Sequence, residues 1–327
     1  MSPDQIIAAG AIVSIINATI RGAVPIMLGA LSGIVSERSG IVNIGIEGMM
    51  LGGAFVAYVT NVFLSQPGTP DFFASVPVRL VLCIGAALLC GALLALLHAV
   101  LSIRYKVDQI ISGTVVNIFA TGVTSFLYIG NQIMSRIPVL IANPFPQSTG
   151  LLFSLGEVLF NKGVITYLAF VLVFLTGFAL FKTTWGLRTR SVGENPRAAD
   201  TLGINVYRLQ YTNLAISGAL AGLAGAALIL EGGISFDRGM TNGRGFLALA
   251  VMIFGMWRPS RAMIGALLFG FALALQGYLQ QQGISSFIPY QFIGMLPYLL
   301  TLIVLAGFVG RARPPAHIGQ PYEVDNS

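Results

Sequence analysis

Hydrophobicity along the chain rises and falls in long apolar runs separated by short polar turns, near 5–33, 44–64, 78–103, 108–130, 164–182, 209–230, 241–257, 262–280 and 291–310. A bilayer core of roughly 30 Å takes about 20 apolar residues per helical crossing. The pattern predicts an all-α, polytopic membrane bundle of about nine transmembrane helices. Membrane-spanning strands would show as alternating segments of about ten residues, and these are absent. The first run is too long for one untilted crossing and contains Arg21, while the seventh is short and rich in glycine.

Composition agrees with this reading. Hydrophobic residues make up 55% of 327 positions, charged residues 9%, and the mean hydropathy is +0.82. An ordinary soluble domain is about a quarter charged. The N-terminus lacks a basic segment and a small-residue cleavage pattern before its apolar run, so it is expected to be a retained first helix.

Basic residues collect on the cytoplasmic side of short loops. One set of loops carries twelve, at Arg38, Arg104, Lys106, the 182–208 segment, Arg258, Arg261, Arg311 and Arg313, and the opposite set carries five. The expectation is an external N-terminus, a cytoplasmic C-terminus, a transmembrane domain over 1–313 and a cytoplasmic tail over 314–327. A re-entrant seventh run would give eight against nine and erase the bias, so that run is expected to cross.

Small residues repeat every four positions at Gly29 and Gly33, at Gly48 and Gly52, and at Gly218, Gly222 and Ala226. Such spacing lets helix backbones approach closely in lipid, and packing within the subunit is the expected use.

Several chemistries lack their residues. No GxxxxGK[ST] phosphate loop occurs, so the chain is not expected to hydrolyse ATP by itself. No Ser-His-Asp grouping and no HExxH motif supports an intramembrane hydrolase. Cys83 and Cys90, seven apart on one run, lie about 10 Å from each other along a helix, too far for a disulfide. His98 and His317 have no metal-ligand spacing around them, so no metal is assigned.

Polar groups at membrane depth are the candidates for a solute pathway. Glu47 follows Asn43 by one helical turn, and the two either line a polar cavity or, with Glu47 paired to Arg21 or set at a wet helix end, serve structure. Asn117 and Gln276 either meet a solute's hydroxyls or bond neighbouring helices, and together they suit a neutral polar solute. Asp108 is expected to be structural, as an acid at a helix start. The stretch GMTNGRGF, 239–246, forms either an outer loop or a discontinuous helix facing a cavity. The segment 131–163 either lies along the outer surface as a rim or is an inert packing loop.

Charge and turn formers crowd together in RSVGENPRAADTLGINVYR, 190–208. Asn195 is a good N-cap, Pro196 suits the first helical turn, and Gly203 can take the left-handed position beyond the helix end. The stretch is either a plain connector or a rigid lever on the cytoplasmic side.

The segments SERSGIVNIGIEGMMLGGAF (36–55), VDQIISGTVVN (107–117), GLRTRSVGENPRAADTLGINVYR (186–208), GMTNGRGFLALAVMIFG (239–255) and LPYLLTLIVLA (296–306) resemble permease subunits of ATP-binding cassette importers. The branch is the one that serves simple sugars, nucleosides and branched-chain amino acids, and nucleoside and simple-sugar permeases are closest. The resemblance implies two paired permease subunits, the second a different chain, and two cytoplasmic ATPase domains that hold ATP and Mg. It also implies an external, lipid-anchored solute-binding protein, a bacterial cytoplasmic membrane, and no cofactor or nucleic acid on this chain. By the same resemblance Glu194, Asn195, Pro196, Arg197, Ala198, Ala199 and Gly203 form the coupling segment that seats in a groove of the ATPase. The sequence lacks the Ile-x-Leu-Pro that follows this region in other bacterial importers.

The function expected is inward movement of a nucleoside or simple sugar, powered in a partner subunit. The rival reading, an ion-coupled secondary transporter, calls for paired intramembrane acids or an inverted repeat. The chain shows one such acid and no convincing repeat.

Overall fold

A computed structural model describes residues 3–128, 156–233, 235–281, 289–308 and 313–323. Its elements in chain order are α1 (Pro3–Glu37), α2 (Ile46–Leu64), α3 (Asp71–Ala74), α4 (Val76–Ala99) with a π-helical turn over Val100–Arg104, α5 (Gln109–Leu127) and α6 (Val164–Lys182). There follow α7 (Thr184–Glu194), α8 (Pro196–Thr201), α9 (Val206–Leu230), α10 (Arg244–Phe254), α11 (Pro259–Gln281), α12 (Tyr290–Gly294) and α13 (Leu296–Phe308). Among the described residues there are seven helices long and apolar enough to cross a membrane.

The centre of the bundle is α9, sheathed by α1, α2 and α4. Within its most apolar stretch 78% of residues are buried, against 22% in α4. Glycine makes this possible. A Cβ on Gly53 of α2 would sit 2.5 Å from the Gly222 carbonyl of α9, one on Gly91 of α4 would sit 2.1 Å from the Gly218 carbonyl, and one on Gly225 would sit 1.9 Å from the Met50 carbonyl. Gly29 packs in the same way on Ala248 of α10, and Gly33 on Met252. The small-residue repeats therefore act inside the subunit.

The seventh run, short and rich in glycine, is helical only over its second part. The helix α10 has 11 residues, about 16 Å, too short to span alone. The chain on either side of it nevertheless lies at two levels of the bundle. Glu231 lines a cavity with Arg21 of α1, while the Trp257 carbonyl accepts from Arg38 at the other end of that helix. Those levels are 17 residues, about 25 Å, apart along α1. Just before α10 the chain turns at Gly239, Asn242 and Gly243, with φ of 67°, 44° and 78°. The last run is likewise divided, by a turn at Met295 between α12 and α13. The expected outer rim falls mostly on 129–155, outside the described residues.

Candidate functional site

Three polar assemblies stand out, at one end of the bundle, in its middle and towards its other end.

At the end rich in basic residues, α7 and α8 form an elbow. The Asn195 side chain accepts from Ala198 N–H at 3.1 Å, Pro196 opens α8, and Gly203 takes φ 78° just past its end, while its N–H donates to the Asp200 carbonyl at 2.8 Å. The caps expected for this stretch are all made. Pro196 and Ala199 face inward, whereas Glu194, Asn195, Arg197, Ala198 and Asp200 are exposed. A Cβ on Gly193 would lie 2.3 Å from the Arg38 carbonyl, so the elbow is seated on the loop between α1 and α2. Arg38 donates to the Trp257 carbonyl at 3.1 and 3.2 Å, and Trp257 donates to Glu37 Oε2 at 2.6 Å. The guanidinium groups of Arg38, Arg190 and Arg258 all lie within 6 Å of the Phe181 ring centroid. Burial lowers the Arg38 pKa; Glu194 opposes that shift, and Arg190 and Arg258 add to it.

The tail, expected only as a cytoplasmic extension, straps this end. His317 N–H donates to the Gly193 carbonyl at 3.0 Å, Ala316 N–H to Glu194 at 3.2 Å, and Gly319 N–H to the Gly40 carbonyl at 3.0 Å. Tyr322 packs against Tyr207 with the rings tilted by 50° and centroids 5.5 Å apart, and Glu323 pairs with Lys106 at 2.5 Å. No local pattern in the sequence signals these contacts.

In the middle, the loop that leads into α2 turns back into the bundle and is held from three helices. His98 of α4 bonds the Val42 carbonyl at 2.9 Å and Ser112 at 2.8 Å, and Gln109 of α5 accepts from Val42 N–H at 2.7 Å. Asn43, fully buried, donates to Ser217 of α9 at 3.0 Å, which is 2.9 Å from Ser32 of α1. Asn117 of α5 donates to the Ile44 carbonyl at 3.0 Å and accepts from Gly48 N–H at 2.7 Å, so it caps α2. Glu47, one turn into α2, accepts from Gly243 N–H at 2.8 Å and Gly245 N–H at 2.6 Å, so it caps α10. A carboxylate suits that position, where unpaired N–H groups and the helix dipole converge. Asn43, Glu47 and Asn117 are thus brought together around the start of α2, each with backbone or hydroxyl partners. Gln276 lies apart, beside Gly294 of α12. Asp108 has the expected structural role, accepting from Ile110 and Ile111 N–H at 2.9 and 3.0 Å.

Towards the end opposite the elbow, three cavities of about 560, 330 and 220 Å³ open around α1, and Arg21 lines all of them. Glu231 lines two and Arg244 two. Glu231 caps α6, accepting from Ile165 N–H at 2.6 Å and from Thr166 Oγ at 2.5 Å. Lys162 donates to Asn17 and to the Glu157 carbonyl. Of this ring only Arg21 stood out in the sequence. Glu231, Lys162 and Arg244 lie at the ends of apolar runs, where a charge reads as ordinary loop chemistry.

A buried core of glycine-packed helices, seven of them long and apolar enough to span a membrane, with a capped elbow at the basic end, defines a polytopic helical membrane protein. The chain matches, over residues 15–305, the family described as branched-chain amino acid transport system / permease component, and it belongs to that family. It is a permease subunit of an ATP-binding cassette importer, a multi-pass membrane protein that works with an ATPase and further components. It is 41% identical over 312 residues to the guanosine ABC transporter permease protein NupQ of Bacillus subtilis, covering 94% of this chain and 96% of that protein. It is 39% identical to the nucleoside ABC transporter permease protein NupC of Lactococcus lactis, covering 91% and 93%. A second guanosine permease protein of Bacillus subtilis, NupP, is 26% identical, covering 90% of this chain and 82% of its own.

Proposed function

We propose that this permease carries a nucleoside inward across the bacterial cytoplasmic membrane. The observation that carries the reading is the similarity to guanosine and nucleoside permeases, at 41% and 39% identity over nearly the whole length of both chains. The basic end faces the cytoplasm, as the charge bias favours. There the ATPase, holding ATP and Mg, engages the exposed side chains of the α7–α8 elbow, and this chain binds neither. A binding protein outside delivers the solute.

The elbow is suited to transmit force because it is stiff: α8 is capped at both ends and its base is pressed on the α1–α2 loop. Switching a two-state bundle from 1:99 to 99:1 takes roughly 5.5 kcal/mol of differential binding, which a floppy connector would dissipate. The second permease is a different chain. In Bacillus subtilis two unequal proteins, both similar to this one, are named as guanosine permeases.

The test is reconstitution of this chain with its ATPase, second permease and binding protein in vesicles. ATP-dependent uptake of radiolabelled guanosine is expected. Uptake that persists without the ATPase and follows an ion gradient would establish secondary transport instead.

A further inference from the structure

At the basic end of the bundle α6 and α11 part to leave a cleft of about 480 Å³, lined by Val173, Phe174 and Phe178 on its apolar side and by Lys182, Arg258 and Ser260 at its polar rim. Phe174 and Phe178 are 68% and 62% exposed on a helix long and apolar enough to span a membrane. They lie two turns and one turn, about 12 and 6 Å, before Lys182. The cleft is therefore apolar at membrane depth and cationic where the helix ends. Gly177 also lines it, and a Cβ there would meet no atom within 4 Å, so the slot beside it is open.

More positive charge gathers here than the fold answers. The guanidinium groups of Arg38, Arg190 and Arg258 lie 5.5, 5.2 and 5.9 Å from the ring centroid of Phe181, which itself lines the cleft. Among the described residues none of Arg38, Lys182, Arg190 and Arg258 makes an ion pair, and Arg190 Nε is buried without a partner. Two carboxylates of this end are engaged elsewhere, Glu37 by the Trp257 indole N–H at 2.6 Å and Glu194 by Ala316 N–H at 3.2 Å. The helix α11 starts at the cleft with Pro259, has no acid in its first turn, and adds the positive end of its dipole.

We propose that this cleft binds an anionic phospholipid, whose phosphate lies on Lys182, Arg258 and the start of α11 and whose acyl chain runs along Phe174 and Phe178. Basic pockets between membrane helices suit such headgroups, whereas a cation that merely snorkels to the interface needs no apolar slot beneath it. A zwitterionic lipid brings an ammonium group that the cations repel, and a free phosphate ion makes no use of the apolar wall. The site stands at the root of the elbow, since Lys182 ends α6 and Thr184 begins α7. Which leaflet supplies the lipid rests on the orientation proposed above; binding at the cleft does not.

The test uses the assembled transporter in vesicles of equal parts phosphatidylglycerol and phosphatidylcholine, one of the two carrying a photoreactive acyl chain. Adducts are mapped by mass spectrometry to the peptide 163–182, which trypsin releases by cleaving after Lys162 and Lys182. Phosphatidylglycerol is expected to give about tenfold more adduct than phosphatidylcholine, the worth of one hydrogen bond from a charged donor. Arg258→Gln is expected to lower the phosphatidylglycerol adduct by a similar factor, whereas Arg104→Gln, which removes another exposed cation of the same end, leaves it unchanged. Gly177→Phe fills the slot, touches no charge and is expected to expel the lipid as well; should Arg258→Gln fail to assemble, this variant decides. Glycerophosphoglycerol, the headgroup without its chains, is expected to leave the adduct intact. Equal adducts from the two lipids, an adduct unmoved by Gly177→Phe, or equal losses in Arg104→Gln and Arg258→Gln would mark ordinary boundary lipid and overturn the site. Full competition by glycerophosphoglycerol would make it a phosphate site, and no adduct from either lipid would mean that another protein chain covers the cleft; each overturns the proposal too. The adduct depends neither on the solute carried nor on sidedness, so failure of those readings leaves it standing.

Discussion

Glu47 and Gly245, 198 positions apart in the chain, meet at 2.6 Å: a carboxylate in the first turn of α2 accepts the backbone N–H of the first turn of α10. With Gly243 N–H at 2.8 Å on its other oxygen, Glu47 closes the top of a helix that begins within the bundle. An intramembrane acid is thereby explained as architecture. Replacement by alanine leaves two N–H groups without an acceptor at depth, a loss of about 1–3 kcal/mol for each buried group. Glu47→Ala is expected to lower the apparent melting temperature of the detergent-solubilised protein and the amount of folded permease. Glu47→Gln, which keeps one acceptor, is expected to fall between. Melting and yield unchanged in Glu47→Ala would show that the contact is dispensable.

The α8 cap offers a milder test at the ATPase end. Asn195→Ala removes the acceptor for Ala198 N–H and is expected to destabilise α8 by about 1 kcal/mol, whereas Asn195→Asp keeps the cap. Copurified ATPase should drop in the first variant and hold in the second. Deletion of residues 194–203 should abolish copurification while membrane insertion continues; retained ATPase would remove the elbow from the coupling role.

Sidedness can be checked with two exposed positions, Asn161 before α6 and Ala198 in α8. Single cysteines there should be labelled by an impermeant reagent from opposite faces of the membrane. Labelling of both from one face would overturn the proposed topology.

The tail strap should respond to acid. The Lys106 ammonium, through its hydrogen bond and its charge, holds the Glu323 carboxyl below its ordinary range. A group with a depressed folded pKa contributes above its unfolded pKa, and that contribution disappears as pH falls through the folded value. A spin label at Gln320, an exposed position in the strap, should therefore gain mobility as pH drops below the ordinary carboxylate range. Glu323→Gln should show that mobility already at neutral pH. A label equally fixed in both proteins would mean that the pair does not hold the tail.

Close helix approach makes a sharper prediction. A methyl group at Gly225 would sit 1.9 Å from the Met50 carbonyl, and neither backbone can yield without parting α2 from α9. Gly225→Ala is expected to cost about 3 kcal/mol and Gly225→Leu to prevent folding, read as loss of monodisperse protein on gel filtration.

Much of this molecule was legible in one dimension. Apolar runs mark membrane helices because a helix in lipid satisfies its own backbone, so length and hydropathy suffice. The α8 caps at Asn195, Pro196 and Gly203 were legible for a similar reason, since a cap involves residues three or four apart. The small-residue spacing at Gly218, Gly222 and Ala226 predicted close packing, though not that α2 and α4 are the helices that close in.

What the tertiary structure alone decided is where the polar groups at depth find partners. Glu47 pairs with backbone N–H groups, Asn43 with Ser217, which in turn meets Ser32 of another helix, and Asn117 with a loop carbonyl and the N–H of Gly48. None of these leaves a complementary charge or a short spacing to find. The short seventh helix follows from the same cause, because its start is held by a carboxylate on another helix. Arg21 is the converse: the sequence by itself determined that a cation lies in the first span, and only the folded chain shows that nothing described there answers it. Local caps and hydropathy are properties of neighbours in the chain. Polar pairing at membrane depth is a property of neighbours in space, and in this protein those neighbours are as many as 198 residues apart.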